Sequence, residues 1–205
     1  MTIPHFTDLT GLASTASAAT AGVLLLPGCK KLARPRLAML LGAVFVLMLI
    51  PFGAISPAAY LRGVTGDLSI PALILLWRAM LQSLSVCAVN DPRHRLVLTG
   101  LIALSALALY PMALGAGAYD PYRMGYGNPQ FVAGLSLFAL GALYRNYSLV
   151  ALCIAAAVLA WAIGWYESDN LWDYLLDPFL AIYALAAVIN CMTRTTFKSK
   201  RDRAG

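Results

Sequence analysis

Apolar stretches alternate with short polar breaks along this chain, near Leu37–Ala59, Leu68–Val89, Leu96–Ala118, Phe131–Tyr144, Tyr147–Trp165 and Leu171–Met192. Several exceed the roughly 18 apolar residues that mark a membrane span. Backbone groups in hydrocarbon must find partners within their own segment, so such spans are expected to be helices. The Ala/Leu/Gly-rich text does not alternate apolar and polar residues as barrel strands do. The pattern predicts an all-α, polytopic transmembrane bundle of six spans without a soluble domain. The fourth stretch is short and is followed by Arg145-Asn146, which predicts a tight hairpin between spans four and five. Residues 1–28 then read as a flexible or interfacial amino-terminal segment, 29–192 as the six-helix domain, and 193–205 as a basic cytoplasmic tail.

Composition strengthens this reading. The 205 residues are 60% hydrophobic and 12% charged, with a mean hydropathy of +0.74. A soluble domain carries about 25% charged residues.

Charge sets the expected orientation, because basic residues beside spans stay on the cytoplasmic side. Lys30, Lys31, Arg34, Arg36, Arg93, Arg95, Arg145, Arg194, Lys198, Lys200, Arg201 and Arg203 fall on one side of the six-span scheme. Arg62 and Arg123 fall on the other, and Arg78 lies within a span. Asp67, Asp120, Glu167, Asp169, Asp173 and Asp177 sort to the outer side, with Asp91, Asp202 and the amino-terminal Asp8 as exceptions. Both termini are therefore expected in the cytoplasm, in an arrangement that suits a bacterial inner membrane. The net charge of +6 is accounted for by topology and anionic headgroups, with no nucleic acid required. Cys29, Cys87, Cys153 and Cys191 all fall near cytoplasmic ends, where thiols stay reduced.

The amino terminus admits more than one reading. Leu26-Pro27-Gly28-Cys29 is similar to a lipoprotein cleavage box, but no basic residue precedes the apolar run and a basic cluster follows it. An extra helix over Gly11–Leu26 would move the first ten residues outside. A loose cytoplasmic or interfacial segment is the preferred expectation.

Chemistry, if the chain carries any, is expected at the outer face. Arg62, Asp67, Asp120, Arg123, Glu167, Asp169 and Asp173 lie in three short loops, each beginning with Tyr: Tyr60, Tyr119 and Tyr166. In one reading the aromatic residues form an interfacial belt, Asp169 or Asn170 caps the sixth helix, and Asp173 favours its dipole. In the other, the charged residues converge on a pocket for a headgroup or a partner, with carboxylates as base or ligands and arginine as an anion clamp. The spacing selects no single chemistry. His5 and His94 are the only histidines, and neither they nor the cysteines fall at metal-ligand spacing, so no metal or cofactor is expected. Ser136 has no histidine base on a neighbouring span, which excludes an intramembrane serine protease.

Arg78 sits mid-span, with Gln82 and Ser85 on the same helical face. A charge there costs about 2.5–3.5 kcal/mol on insertion scales. Asp177 is its expected partner, either in a fixed pair or in one that lines a polar path. The heptapeptide Gly63–Ser69 resembles the Gly-x-x-x-Asp-Leu-Ser helix start in the membrane domains of lipoteichoic-acid-synthase-like phosphotransferases. Over seven residues this implies only an envelope-lipid setting. The sequence thus predicts a non-catalytic subunit or accessory factor of a cell-envelope membrane complex, with membrane lipids and other membrane proteins as partners. The alternative is an embedded enzyme or carrier for a lipid-linked or anionic substrate at the outer face.

Overall fold

A computed structural model describes residues 6–87 and 92–202. His5, Val89, Asp91 and Arg203, which the sequence reading uses, lie outside them. The fold is all-helical, with 77% helix and no strands among the described residues. Nine α-helices follow in order: α1 Phe6–Gly22, α2 Arg34–Leu49, α3 Pro57–Thr65, α4 Ile70–Ser83, α5 Pro92–Ala113, α6 Pro129–Tyr144, α7 Ser148–Ala162, α8 Leu171–Leu175 and α9 Pro178–Asp202.

Proline sets many of these boundaries. It lacks a backbone N–H and disfavours helix at the residue before it. Pro57, Pro71, Pro92, Pro129 and Pro178 accordingly stand in the first turns of α3, α4, α5, α6 and α9. Two expected spans are therefore interrupted. The first ends at Leu49, Phe52 pairs with Ile55 in a turn, and the chain restarts as α3. The sixth breaks at Leu176-Asp177, before Pro178. The tight hairpin after α6 is present: Asn146 adopts φ 64°, and Tyr147 N–H donates to Ala142 C=O at 2.8 Å.

The amino-terminal segment is not loose. Residues 6–22 form a helix packed against α2, α3 and α4. Its inward face carries Thr10, Ser14, Thr15, Ser17 and Thr20. The Thr15, Ser17 and Thr20 hydroxyls donate to the carbonyls of Gly11, Ala13 and Ala16, one turn earlier. Such residues weaken a hydropathy signal, yet their small size lets helices approach closely. The expected tail is also helical, since α9 continues to Asp202.

Contacts between helix ends give the bundle two distinct poles. Ser69, at the start of α4, meets Asp177 at the start of α9. Phe6 of α1 packs edge-on against Trp165, and Asp8 approaches Arg62. This acidic pole also carries the loops 114–128 and 163–170. His94 and Tyr147, at the starts of α5 and α7, meet at the other pole with Arg95 and Arg145. Asp8 thus stands with the Arg62 loops, not with the basic residues as the six-span scheme had it.

Length separates the helices. One, over Arg93–Ala113, is long and apolar enough to cross a membrane on those criteria, with mean hydropathy 2.0. Ile70–Ser83, Pro129–Tyr144, Ser148–Ala162 and Pro178–Arg194 are apolar but shorter. At 1.5 Å per residue a 15-residue helix spans about 22 Å, against about 30 Å of bilayer hydrocarbon.

Candidate functional site

Three networks build the acidic pole. The first centres on Arg62, near the carboxyl end of α3. Its Nε and Nη2 donate to Asp67 Oδ1 and Oδ2 at 2.6 and 2.9 Å, a bidentate fork that fits the planar guanidinium. Nη2 also reaches Glu167 Oε1 at 3.3 Å, and Nη1 stands 3.7 Å from Asp8. Gly66, at φ 73°, turns the chain so that Asp67 folds back onto the arginine. Hydrogen bonding to Asp67 raises the Arg62 pKa further, against the opposing effect of burial.

The second network centres on Asp173. Tyr122 O–H donates to both carboxylate oxygens, at 2.8 and 3.0 Å, and Ser168 O–H donates at 2.5 Å. Buried Asn170 locks this region. It caps α8 by accepting from Trp172 N–H at 2.9 Å, and its Nδ2 donates to Tyr122 C=O at 3.0 Å. Trp172 Nε1 adds a bond to Pro121 C=O at 3.0 Å. Hydrogen bonds thereby tie loops 119–128 and 166–173 together.

The third network corrects the expected intramembrane pair. Asp177 is 4% exposed. Its Oδ1 accepts from Leu180 N–H at 2.8 Å, capping α9. Its Oδ2 accepts from Ser69 N–H at 3.0 Å and Ser69 O–H at 2.6 Å. One carboxylate therefore neutralises the amino-terminal ends of α4 and α9, where helix dipoles favour negative charge. Arg78 lies nine residues beyond Ser69, about 13 Å along α4, so the Arg78–Asp177 pairing is replaced by this cap.

Of the seven outer candidates, Arg62, Asp67 and Glu167 come together, and Asp173 joins the neighbouring network. Asp120 accepts from Tyr122 N–H at 3.0 Å and starts the short turn Pro121–Gly125. Arg123 and Asp169 are exposed and enter neither network, although the Asp169 carbonyl accepts from Trp161 Nε1 at 2.8 Å. The sequence reading missed Asp8, Ser69, Tyr122 and Ser168. Only Ser69, two residues before Pro71, carries a local signal, that of a helix start.

A pocket of about 210 Å³ lies between the networks, lined by Asp67, Tyr166, Ser168, Asp173, Leu176 and Asp177, with Pro178 at its edge. Among the described residues, no three His, Cys, Asp or Glu side chains are grouped to hold a metal ion. Comparison of the chain with protein-family models, curated proteins and solved structures finds no match.

Two expected results follow. Arg62→Ala leaves Asp67, Asp8 and Glu167 facing one another and should cost about 2 kcal/mol. That value is below the roughly 3–5 kcal/mol of a fully buried broken pair, because Glu167 is 64% exposed. Glu167→Gln should stay within about 0.5 kcal/mol of the parent. Denaturant midpoints check both, and equal effects would remove Arg62 from the centre of the network.

Burial, followed by the Asp173 bond, raises the Tyr122 pKa, and burial does the same for Tyr166. Their phenols bind protons more tightly folded than unfolded. This contribution to stability is intact below the ordinary tyrosine value of 10.0 and is lost as pH rises through the folded values. Absorbance near 295 nm should show these tyrosines ionising together with unfolding. Ionisation near pH 10 in a still-folded protein would contradict it.

Proposed function

We propose that this chain is a multi-pass membrane protein that acts as a non-catalytic subunit or accessory factor of a cell-envelope complex, through membrane proteins and lipids. The observation that carries the membrane reading is the inverted distribution of polarity. The flanks of the bundle expose Leu104 (66%), Leu137 (69%) and Ile182 (66%), while α1 turns its serines and threonines inward. Water does not favour that arrangement, and hydrocarbon does.

In this reading α1, α2, α4, α5, α6, α7 and α9 cross, giving seven passages in place of the six expected. The acidic pole is outside and the basic pole is cytoplasmic. The chain then starts outside and ends inside, which revises the expectation of two cytoplasmic termini. Membrane thinning and snorkelling of flanking residues accommodate helices of 14–16 residues.

The non-catalytic reading draws on how the charges are used. Arg62 is saturated by carboxylates and is a poor clamp for an anionic substrate. Asp177 is occupied by three donors, and Asp120 and Asn170 serve as caps. A rigid polar cap on an apolar bundle suits docking better than turnover.

Single cysteines placed at Thr7 and Arg194 in a background lacking the native four test the topology. An impermeant maleimide added to intact cells should label Thr7→Cys and not Arg194→Cys. Affinity purification in mild detergent should then recover a membrane protein in fixed stoichiometry. Turnover of a lipid-linked substrate by the purified chain alone would overturn the non-catalytic reading.

A further inference from the structure

Leu176, in the extended break between α8 and α9, borders two spaces. On one side is the 210 Å³ pocket, whose Asp67, Ser168, Asp173 and Asp177 offer mainly hydrogen-bond acceptors. On the other is an apolar slot of about 290 Å³ that descends into the bundle. Its walls include Leu98, Ile102 and Ser105 of α5, Phe138 of α6 and Cys153 of α7, with Trp172 near its top.

The slot has the form of a chain site. The α5 wall from Leu98 to Ser105 runs about 10 Å along the helix axis. A dry apolar cavity of about 150 Å³ binds benzene, so 290 Å³ holds roughly ten hydrocarbon carbons. α6 packs mainly on α7, while α5 packs on α7 and α9. Leu98, Ile102 and Ser105 of α5 share the slot with Leu135 and Phe138 of α6, and Phe138 is 49% exposed.

Charge selects the head. The pole bearing the pocket carries Asp8, Asp67, Asp120, Glu167, Asp169, Asp173 and Asp177 against Arg62 and Arg123, seven negative charges to two positive. Arg62 is already held by carboxylates. An anionic head would be repelled, and an ammonium group would be attracted and hydrogen-bonded.

We propose that the slot holds one hydrocarbon chain of an outer-leaflet lipid and that the adjoining pocket takes its ammonium-bearing head. This rests on the membrane reading above and names the lipid class that the protein engages.

Bromine on a lipid chain quenches nearby tryptophan, and Trp172 lines the slot. The protein is reconstituted into vesicles in which brominated phosphatidylethanolamine or brominated phosphatidylglycerol is diluted into unbrominated digalactosyldiacylglycerol, whose head carries neither ammonium nor phosphate. The Trp172 signal is taken as the difference from Trp172→Phe. Half-quenching should need about ten-fold less phosphatidylethanolamine than phosphatidylglycerol, a preference of about 1.4 kcal/mol. Ser105→Phe or Ile102→Trp, each filling the slot, should abolish saturable quenching while near-ultraviolet dichroism is retained. Leu104→Phe, on the exposed flank, should leave it unchanged. Asp173→Asn should narrow the preference between the two heads. Equal quenching by both lipids, or quenching unaffected by both slot-filling variants, would overturn the inference. A chain that fails to enter membranes defeats the membrane reading itself, whereas a membrane-inserted chain without selective quenching defeats only the lipid site.

Discussion

Asp177→Ala is expected to destabilise the protein by about 4 kcal/mol, the largest effect of any single substitution considered. The change removes the α9 cap, worth about 1 kcal/mol. It also leaves Ser69 N–H and O–H without their acceptor in a buried site, at about 1–3 kcal/mol for each unsatisfied donor. Asp177→Asn keeps oxygen acceptors but loses the charge shared by two helix ends, and should cost about half as much. Ser69→Ala removes only one bond and should cost about 1 kcal/mol. Unfolding midpoints in mixed detergent measure all three. The Asp177 and Ser69 substitutions should be strongly non-additive, because each removes the same contact. Additive effects, or a loss below about 1 kcal/mol for Asp177→Ala, would show that the carboxylate does not tie α4 to α9.

Gly125→Ala is the second large effect, expected at about 3 kcal/mol through overpacking. A Cβ there would land on the Asn170 carboxamide and within 2.9 Å of Trp172 Cδ1. Asn170 is wholly buried and holds both Tyr122 C=O and Trp172 N–H, so it cannot move aside without releasing loop 119–128 from α8. The thermal midpoint should fall, and Trp172 emission should shift as its surroundings loosen. Pairing Gly125→Ala with Asn170→Gly removes the obstacle, and glycine costs only a few tenths of a kcal/mol at a helix cap. The double variant should therefore be more stable than Gly125→Ala alone. A double variant that is less stable would place the fault elsewhere than in this close approach.

These two sites illustrate what the sequence conveyed and what it concealed. Hydropathy was enough to expect helices near Leu68–Val89, Phe131–Tyr144 and Tyr147–Trp165, where α4, α6 and α7 lie, and the Arg145-Asn146 hairpin between the last two. Each of those signals lies within a few residues of the structure it specifies. Two breaks fell inside single expected spans although their signals were present. Pro51 and Pro57 interrupt the first apolar stretch, and Asp177-Pro178 is a helix start within the sixth. Length alone ran across them, because an apolar run carries no information about where its backbone bonds stop. The α1 helix was hidden for the opposite reason. Its Ser, Thr and Ala side chains are too polar on average to stand out, yet they bury well against neighbouring helices.

The candidate site divides the same way. Tyr60, Tyr119 and Tyr166 marked loops at one pole, and Arg62, Asp67 and Glu167 were singled out before their contacts were known. Their true company was not legible. Asp8 meets Arg62 only because α1 begins at that pole, and Asp177 meets Ser69 across 108 positions of chain. Arg78 seemed the natural partner for Asp177 because both charges were assigned to apolar stretches, but about two and a half turns of α4 separate Arg78 from the Ser69 end that Asp177 caps.

The sequence by itself determined that this chain is helical, the approximate positions of α2, α4, α5, α6 and α7, and which residues carry charge at their ends. Those properties follow from backbone stereochemistry and side-chain polarity acting over one or two turns. Only the tertiary structure decided the partner of each carboxylate, the inward face of α1 and the junction of pocket and slot at Leu176. Such choices depend on how helices distant in sequence pack, where competing donors differ by a few ångströms of reach and the better-placed group takes the bond.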